Sequence, residues 1–365
     1  MEREAFVARD RELRQLDGFL HRALAGQGAV CFVTGEAGSG KTALVAEFAR
    51  RAEETHADLV IAIGGCNAQI GIGDPYLPFR EVLGLLTGDV EAKLAQGTIT
   101  QKTAGRLRDF LRISGQTLVE IGPDLIGIFV PGAKLAVRAA TFAADKAGWL
   151  ERLEKLEERR AVVAGGPRLD QSRIFEQYTD VLLALAAQRP LMLVLDDLHW
   201  ADASSISLLF HLGRRIGESR VLMLGTYRPE DVAQGRAGEQ HPLEGVVSEF
   251  KRYLGDVCVD VGQAEGSEGQ RFVDALLDME ANRLGEGFRQ ELLRRTGGNA
   301  LFTTELLRDM QERGALVRDQ GGALGRGAGA GLGRSARQGR GSDRETHRLA
   351  GGRGAGSADR GQCGG

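Results

Sequence analysis

A glycine-rich turn that ends in a lysine and a threonine is the part of this sequence best suited to hold phosphate. Residues 35–42 fit the pattern G-x-x-x-x-G-K-[ST]. Glycines allow positive φ, so successive backbone N–H groups can point inward and surround an anion. The pattern therefore predicts a phosphate loop that consists of Gly35, Glu36, Ala37, Gly38, Ser39, Gly40, Lys41 and Thr42.

The last two residues of this loop have separate expected roles. We expect the ammonium group of Lys41 to reach the β and γ oxygens of a nucleotide, where it serves both binding and catalysis. The hydroxyl group of Thr42 is a suitable Mg²⁺ ligand. The glycine spacing GxxGxG differs from the GxGxxG of dinucleotide-binding turns, which disfavours a dinucleotide as the ligand.

An acidic pair follows an apolar run farther along the chain. Five apolar residues, LMLVL, precede Asp196 and Asp197. We expect Asp196 to hold Mg²⁺ through water, and Asp197 to orient or deprotonate the water that attacks the phosphate. The alternative for both is a solvated pair that opens a turn. Asp197 could also serve only to support the metal ligands.

Two further segments carry candidate site residues. Thr226 and Arg228 end the next apolar run, where a side chain could sense the γ-phosphate, although an arginine in an exposed turn is the alternative. His199 and Trp200 could lie beside the nucleotide or relay its state, or the tryptophan could simply anchor its loop. The Asn-Lys-x-Asp motif of guanine-specific GTPases does not occur in the sequence, which favours ATP.

Alternating apolar strands and amphipathic helices must bring these residues together. Apolar runs at residues 28–35, 59–66, 190–197, 221–228 and 256–262 have the character of buried parallel strands. The first two runs flank an amphipathic helix, which makes a βαβ unit with the phosphate loop at the carboxyl end of its first strand. The sequence therefore predicts an α/β fold.

The pattern divides the chain into five segments. Residues 1–70 and 171–262 form the predicted ATPase domain, which a mainly helical insertion over 71–170 interrupts. Three helical patterns over 263–320 predict a small helical domain, called the lid below. In the tail, 321–365, sixteen of 45 residues are glycine and no apolar periodicity is present, which predicts disorder.

The glycine-rich tail has three interpretations. It could be a flexible arginine-containing tail or an RNA-binding tail, although the aromatic residues typical of the latter are missing. It could also be translated out of frame, because codons for Ser342–His347 and Asp359–Gly364, read one base later, can encode sequence better suited to a core. Sequencing the locus on both strands distinguishes these interpretations.

Composition and charge limit the cellular location and the partners that we expect for this chain. The amino terminus lacks the apolar core of a signal peptide, and no stretch of about 18 uninterrupted apolar residues predicts a membrane span. Four widely separated cysteines lack metal-ligand spacing, which favours buried thiols and a cytoplasmic location. The tail is basic and the rest of the chain is acidic, which argues against direct DNA binding by this chain.

Five segments together resemble the AAA-type ATPase domain of bacterial STAND signal-transduction regulators, including the LuxR-like large transcriptional activators. The resemblance extends over about residues 6–318. The segments are FVARDRELRQL, GEAGSGKT, LVLDDLHWADASS, LGTYRPED and RTGGNALFTTELL.

The resemblance implies a parallel five-stranded P-loop NTPase sheet with helices on both faces, followed by a helical lid. It also implies that Asp196 and Asp197 are the Walker B pair, that Arg228 is the sensor, and that Arg9 and Asn299 contact the nucleotide. Such proteins are switches in which ADP maintains a closed state, while ATP and an inducer open it for assembly. The implied ligands are ATP or ADP with Mg²⁺, and the implied partners are further copies of the chain or a signalling effector.

This sequence departs from the family pattern in three places. Ala8-Arg9-Asp10 stands where the family has Gly-Arg-Glu, and Ala300 replaces the proline of the lid motif Gly-Asn-Pro. Because a proline fixes φ, its loss predicts a lid that clamps ADP less firmly. Family members continue past the lid into further modules, and the glycine-rich tail stands where these should begin, which favours a truncated or frameshifted chain.

Three function classes follow, of which a slowly hydrolysing ATP-dependent switch is favoured. A P-loop kinase would transfer phosphate only when an acceptor is present. An interaction scaffold or nucleotide-holding remnant would bind nucleotide without turnover.

Overall fold

The computed structural model describes residues 9–66, 75–131, 153, 155, 170–235, 240–261 and 267–327. Three features of the sequence lie outside these residues. They are Phe6 and Val7, which the sequence offers either as adenine-pocket residues or as packing for the first helix, most of the second half of the insertion, and the tail from residue 328.

The centre of the fold is a parallel five-stranded sheet. Its strands are β1 (Ala29–Thr34), β2 (Val60–Gly65), β3 (Leu191–Asp196), β4 (Val221–Tyr227) and β5 (Cys258–Asp260). They lie in the order β2-β3-β4-β1-β5, and every pair is parallel. The predicted α/β fold is therefore confirmed. Burial on both faces explains why the strands are almost continuously apolar.

Helices cover both faces of the sheet. On one face lie α1 (Asp10–Leu24) and α2 (Lys41–Thr55). On the other face lie the following five helices: α3 (Leu77–Leu86), α5 (Gln101–Ile121), α6 (Gln171–Gln188), α7 (Ala203–Gly213) and α9 (Pro242–Leu254). Two shorter helices are α4 (Glu91–Ala95) and α8 (Pro229–Gln234). Among the described ranges, no helix combines the length and apolarity needed to cross a bilayer.

The helical insertion is attached to the end of α2 by polar contacts. Arg106 of α5 donates to the carbonyl oxygens of Glu53, His56 and Leu59 at 2.8, 3.0 and 3.1 Å. Carbonyl groups at a helix C-terminus have no intrahelical donors, so these contacts cap α2. The buried carboxylate of Glu53 also accepts from Thr103 at 3.0 Å. The insertion is thus connected to the helix that begins at the phosphate loop.

The lid has a hydrophobic core of its own. Helices α10 (Ser267–Leu277), α11 (Glu286–Thr296) and α12 (Ala300–Glu312) pack with a hairpin of β6 (Leu316–Arg318) and β7 (Leu324–Arg326). The hairpin continues past Gln320, where the sequence predicts the tail to begin. Its second strand is held because Leu324 is buried in the lid core.

Candidate nucleotide-binding site

The predicted site residues meet at the carboxyl edge of the sheet. The phosphate loop joins β1 to α2, Asp196 ends β3, and Arg228 follows β4. Because β4 pairs with both β1 and β3, the ends of these three strands are neighbours. A ligand placed outside this edge can contact the loop, the acidic pair and the arginine together.

The backbone of the phosphate loop requires its glycines. Gly38 has φ of +74° and Gly40 has φ of +90°, which is the left-handed region that L side chains rarely adopt. Gly40 lies immediately before α2, so the N–H groups of the first turn of α2 also face this edge. The positive end of a helix and the turned loop together suit an anion.

Two basic side chains engage the loop carbonyl groups. The Lys41 ammonium donates to the carbonyl oxygens of Gly35 and Glu36 at 2.9 and 2.8 Å. The Arg9 guanidinium donates to the carbonyl oxygen of Ser39 at 3.2 Å. Because these carbonyl oxygens are hydrogen-bonded to side chains, the backbone N–H groups of the loop remain available to bind a phosphate.

The lid donates hydrogen bonds to two further carbonyl groups of the loop, those of Ala37 and Gly38. The side-chain amide of Asn299 donates to the carbonyl oxygen of Ala37 at 3.3 Å, and the N–H of Leu301 donates to that of Gly38 at 3.2 Å. A Cβ atom at Gly38 would lie 2.6 Å from the Cβ of Leu301, so only glycine allows this approach. All five carbonyl groups from residue 35 to residue 39 therefore accept a hydrogen bond, and the lid supplies two of the donors.

The acidic pair is braced by the neighbouring strand. The hydroxyl group of Thr226 donates to Oδ1 of Asp196 and accepts from the N–H of Asp197 at 2.8 Å. The other carboxylate oxygen of Asp196 lies 3.4 Å from the Thr42 hydroxyl. The structure thus brings together Thr42 and Asp196, the two predicted metal ligands, and shows that Thr226 supports the acidic pair.

This donor set fits Mg²⁺. Thr42 and Asp196 offer only oxygen atoms, and Mg²⁺ in nucleotide sites takes one or two carboxylates and completes its shell with phosphate and water. In the described part of the chain, no group of three or more His, Cys, Asp or Glu side chains is placed to hold a metal ion.

Asp197 has an unusual backbone that Thr226 holds in place. Its φ is +58°, which aspartate tolerates better than most residues. Burial raises the pKa of its carboxyl group, and the neighbouring charge of Asp196 raises it further. A carboxylate with a raised pKa is a better proton acceptor than an ordinary aspartate, which suits a base.

Two cations face these carboxylates. Lys41 is only 6% exposed, and burial lowers the pKa of its ammonium group, as does the nearby charge of Arg228. Two positive charges that disfavour each other would both be stabilised by a phosphate between them. The electrostatics of the site therefore favour an anionic ligand.

Asp231 is a site residue that the sequence reasoning missed. It lies in the first turn of α8, and its Oδ2 atom is 3.6 Å from the Arg228 guanidinium and 3.6 Å from Nε2 of His199. His199 is 2% exposed, and its Nδ1 atom is 3.8 Å from Oδ1 of Asp197. The sequence feature that could have indicated Asp231 is its position three residues after Arg228, which itself follows the end of β4.

Arg9 and Asn299 contact the backbone of the phosphate loop, whereas the resemblance implies that they contact the nucleotide. Both donate to loop carbonyl groups, so they support the backbone of the phosphate loop. Ala300 is the first residue of α12, a position that proline tolerates well. Alanine at this position leaves the start of the lid helix intact, because Asn299 still caps it through the N–H of Phe302.

Replacing Asn299 with alanine should weaken nucleotide binding. The change removes a bond to the loop and the cap of α12, which together are worth about 1–2 kcal/mol. We expect the affinity for ATP and for ADP to fall about fivefold to thirtyfold in a fluorescence titration. Asp170→Ala, which removes the cap of α6 in the same way, is the matched control. Equal affinities for the parent and Asn299→Ala would contradict a role of the lid contact in binding.

Comparison with known families gives a match over the part of the chain that carries the phosphate loop. A family model described as "AAA ATPase domain" matches residues 5–224, which is more than half of the chain. The match contains the phosphate loop and the acidic pair, and it ends within β4, before Arg228 and the lid. A search of curated proteins found no match.

Proposed function

This chain belongs to the AAA ATPase domain family, and we propose that it acts as an ATP-binding, slowly hydrolysing switch module of the STAND type. Such a module would serve a signalling or transcriptional regulator. The family supplies nucleotide binding, and the switch role rests on the contact between the lid and the phosphate loop.

The contact of Asn299 and Leu301 with the loop carries this proposal. Both donors come from the start of α12, and both acceptors belong to residues 37 and 38 of the loop. A shift of the lid would break these bonds and free the loop backbone. A change of the nucleotide that moves the loop would displace the lid in return, because coupling between two sites is reciprocal. A switch needs this connection, and a simple hydrolase does not.

The proposed reaction is hydrolysis of the terminal phosphate. Lys41 and Arg228 would face the negative oxygens of the γ-phosphate, and Thr42 and Asp196 would hold Mg²⁺. When bound, Mg²⁺ supplies positive charge that offsets the charge on the β and γ oxygens. Asp197 would orient a water molecule and accept its proton as the water oxygen bonds to the γ-phosphorus atom. The bond to the bridging β–γ oxygen breaks, and ADP leaves with that electron pair.

Phosphate release from Mg-ATP by the full chain tests this proposal, together with titrations of ATP and ADP. We expect slow release and tight retention of ADP. Release that depends on an added acceptor alcohol would indicate a kinase instead. Binding of both nucleotides without any release would indicate a nucleotide-holding module.

Assembly is the second expected property of a switch. We propose that ATP, and not ADP, promotes self-association or the binding of a signalling effector. Sedimentation velocity in the presence of each nucleotide would show a larger particle with ATP. Identical profiles would argue against assembly of the chain with itself.

A further inference from the structure

A buried histidine joins two acidic side chains from different elements at the edge of the site. His199 lies in the short 3-10 turn Leu198–Trp200 that follows β3. Its Nδ1 atom is 3.8 Å from Asp197, at the end of the same strand, and its Nε2 atom is 3.6 Å from Asp231, on α8. The imidazole therefore lies between the acidic pair and the segment that carries the candidate sensor arginine.

Asp231 extends this series of contacts to the other side of the site. Its Oδ2 atom is also 3.6 Å from the Arg228 guanidinium. Asp197, His199, Asp231 and Arg228 thus form a continuous row with charged or polar groups less than 4 Å apart. Lys41 and Asp196 are the other charged groups that act on the Asp197 end of the row.

The position of the imidazole is fixed by packing. Leu198 lies against the backbone of Gly225 in β4, where a Cβ atom would be 2.5 Å from its side chain. The ring of Trp200 lies 5.4 Å from the ring of His199. Because Leu198 is held against the sheet and Trp200 lies beside the ring, the imidazole has little freedom to move away from the two carboxylates.

We propose that His199 is a positioning residue that orients the carboxylate of Asp197 and, through Asp231, couples it to Arg228. The two ring nitrogens of His199 lie close to oxygen atoms of two different carboxylates. Movement of Arg228 toward a γ-phosphate removes positive charge from beside Asp231, which changes the attraction between Asp231 and His199 and, through the imidazole, the position of the Asp197 carboxylate. This role rests on the proposed hydrolysis of ATP.

The distances agree with a contact that tightens on binding. Separations of 3.6–3.8 Å exceed those of a formed hydrogen bond. Hydrogen bonds that orient catalytic groups are often long before the substrate is bound. A misplacement of about 1 Å in a reacting group can reduce a rate on the order of a hundredfold.

Steady-state phosphate release and nucleotide titrations of variants test the role of His199. His199→Leu should lower kcat about tenfold to a hundredfold, while the affinity for ADP stays within about twofold. His199→Gln keeps a donor and should recover part of the rate. Asp231→Asn should also lower kcat, and adding it to His199→Leu should cause little further loss, because members of one network are not additive.

The matched control is His241→Leu. His241 is also buried, at 6% exposure, but it caps α9 through the N–H of Leu243. This variant should lose stability and keep its kcat. A parent-like kcat in His199→Leu would overturn the proposal, as would a loss of kcat that His199→Gln and His199→Leu share equally.

The ratio of ATP affinity to ADP affinity separates this inference from the proposed function. If the parent binds Mg-ATP without releasing phosphate, hydrolysis is the part that fails. The link to Arg228 still predicts that Asp231→Asn and His199→Leu change the affinity ratio about threefold or more. An unchanged ratio in both variants would then overturn the role of His199.

Discussion

Lys41→Ala should abolish tight nucleotide binding. The buried ammonium group bonds two loop carbonyl oxygens and lies where the loop would surround a phosphate. Hydrogen bonds to charged groups contribute about 1.5–3 kcal/mol each, and Lys41 is expected to bond to two phosphate oxygens. We therefore expect the affinity for ATP and for ADP to fall by about a hundredfold or more. Isothermal titration calorimetry with each nucleotide measures this loss directly.

The same helix offers a matched control. Arg50 is a cation on the exposed face of α2, where it pairs with Glu47 and Glu54. Arg50→Ala should keep the parent affinity, because exposed ion pairs contribute little. Circular dichroism should show that both variants remain folded. If Lys41→Ala binds ATP as tightly as the parent, the phosphate loop is not the nucleotide site.

Lys41→Ala also tests whether the site is strained without nucleotide. Burial and Arg228 both lower the pKa of the ammonium group, so its charged form is disfavoured in the folded protein. Removal of that charge offsets the loss of the two loop hydrogen bonds. We expect the thermal midpoint without nucleotide to change little, whereas the rise of the midpoint on addition of ADP should disappear.

The sheet could be predicted from the sequence because its signals are local. Each strand is a short apolar run, and the run at 190–197 became β3 (Leu191–Asp196) with a difference of one residue at each end. The phosphate loop was equally clear, because its glycines and lysine are consecutive in sequence. The acidic pair followed from its position at the end of an apolar strand.

The supports of the loop could not be predicted, because they depend on contacts between distant parts of the chain. Asn299 bonds Ala37, which is 262 residues away in sequence. The resemblance to a family indicated that Arg9 and Asn299 matter, but not that both act on the loop backbone. Asp231 was missed for a related reason, since its partner His199 comes from another strand end.

The end of the lid was also hard to predict. The hairpin strand β7 (Leu324–Arg326) lies in a glycine-rich segment without periodicity. Leu324 is its apolar contact with the lid core, and the backbone of Leu324 also bonds that of Ala281 and Arg283. A single apolar residue gives no pattern, so composition alone indicated disorder where a short strand forms.

Asp197→Asn should spare nucleotide binding and stop turnover. The two side chains have nearly the same shape, and asparagine tolerates the left-handed backbone of this position, where φ is +58°. The bond from the N–H of this residue to the Thr226 hydroxyl is retained. The change removes the negative charge of the side chain and with it the ability to accept a proton, and removal of a general base costs about a hundredfold to ten-thousandfold in rate. Single-turnover phosphate release measures this change.

Two further variants show whether the effect of Asp197→Asn belongs to that carboxylate. Asp202→Asn removes a negative charge in the following turn, where asparagine can still cap α7, and should keep the parent rate. Asp196→Asn removes a Mg²⁺ ligand and should raise the Mg²⁺ concentration needed for ATP binding. If Asp197→Asn releases phosphate at the parent rate, another group activates the water. If it loses ATP affinity together with rate, Asp197 contributes to binding, and the division of roles between the two acids is wrong.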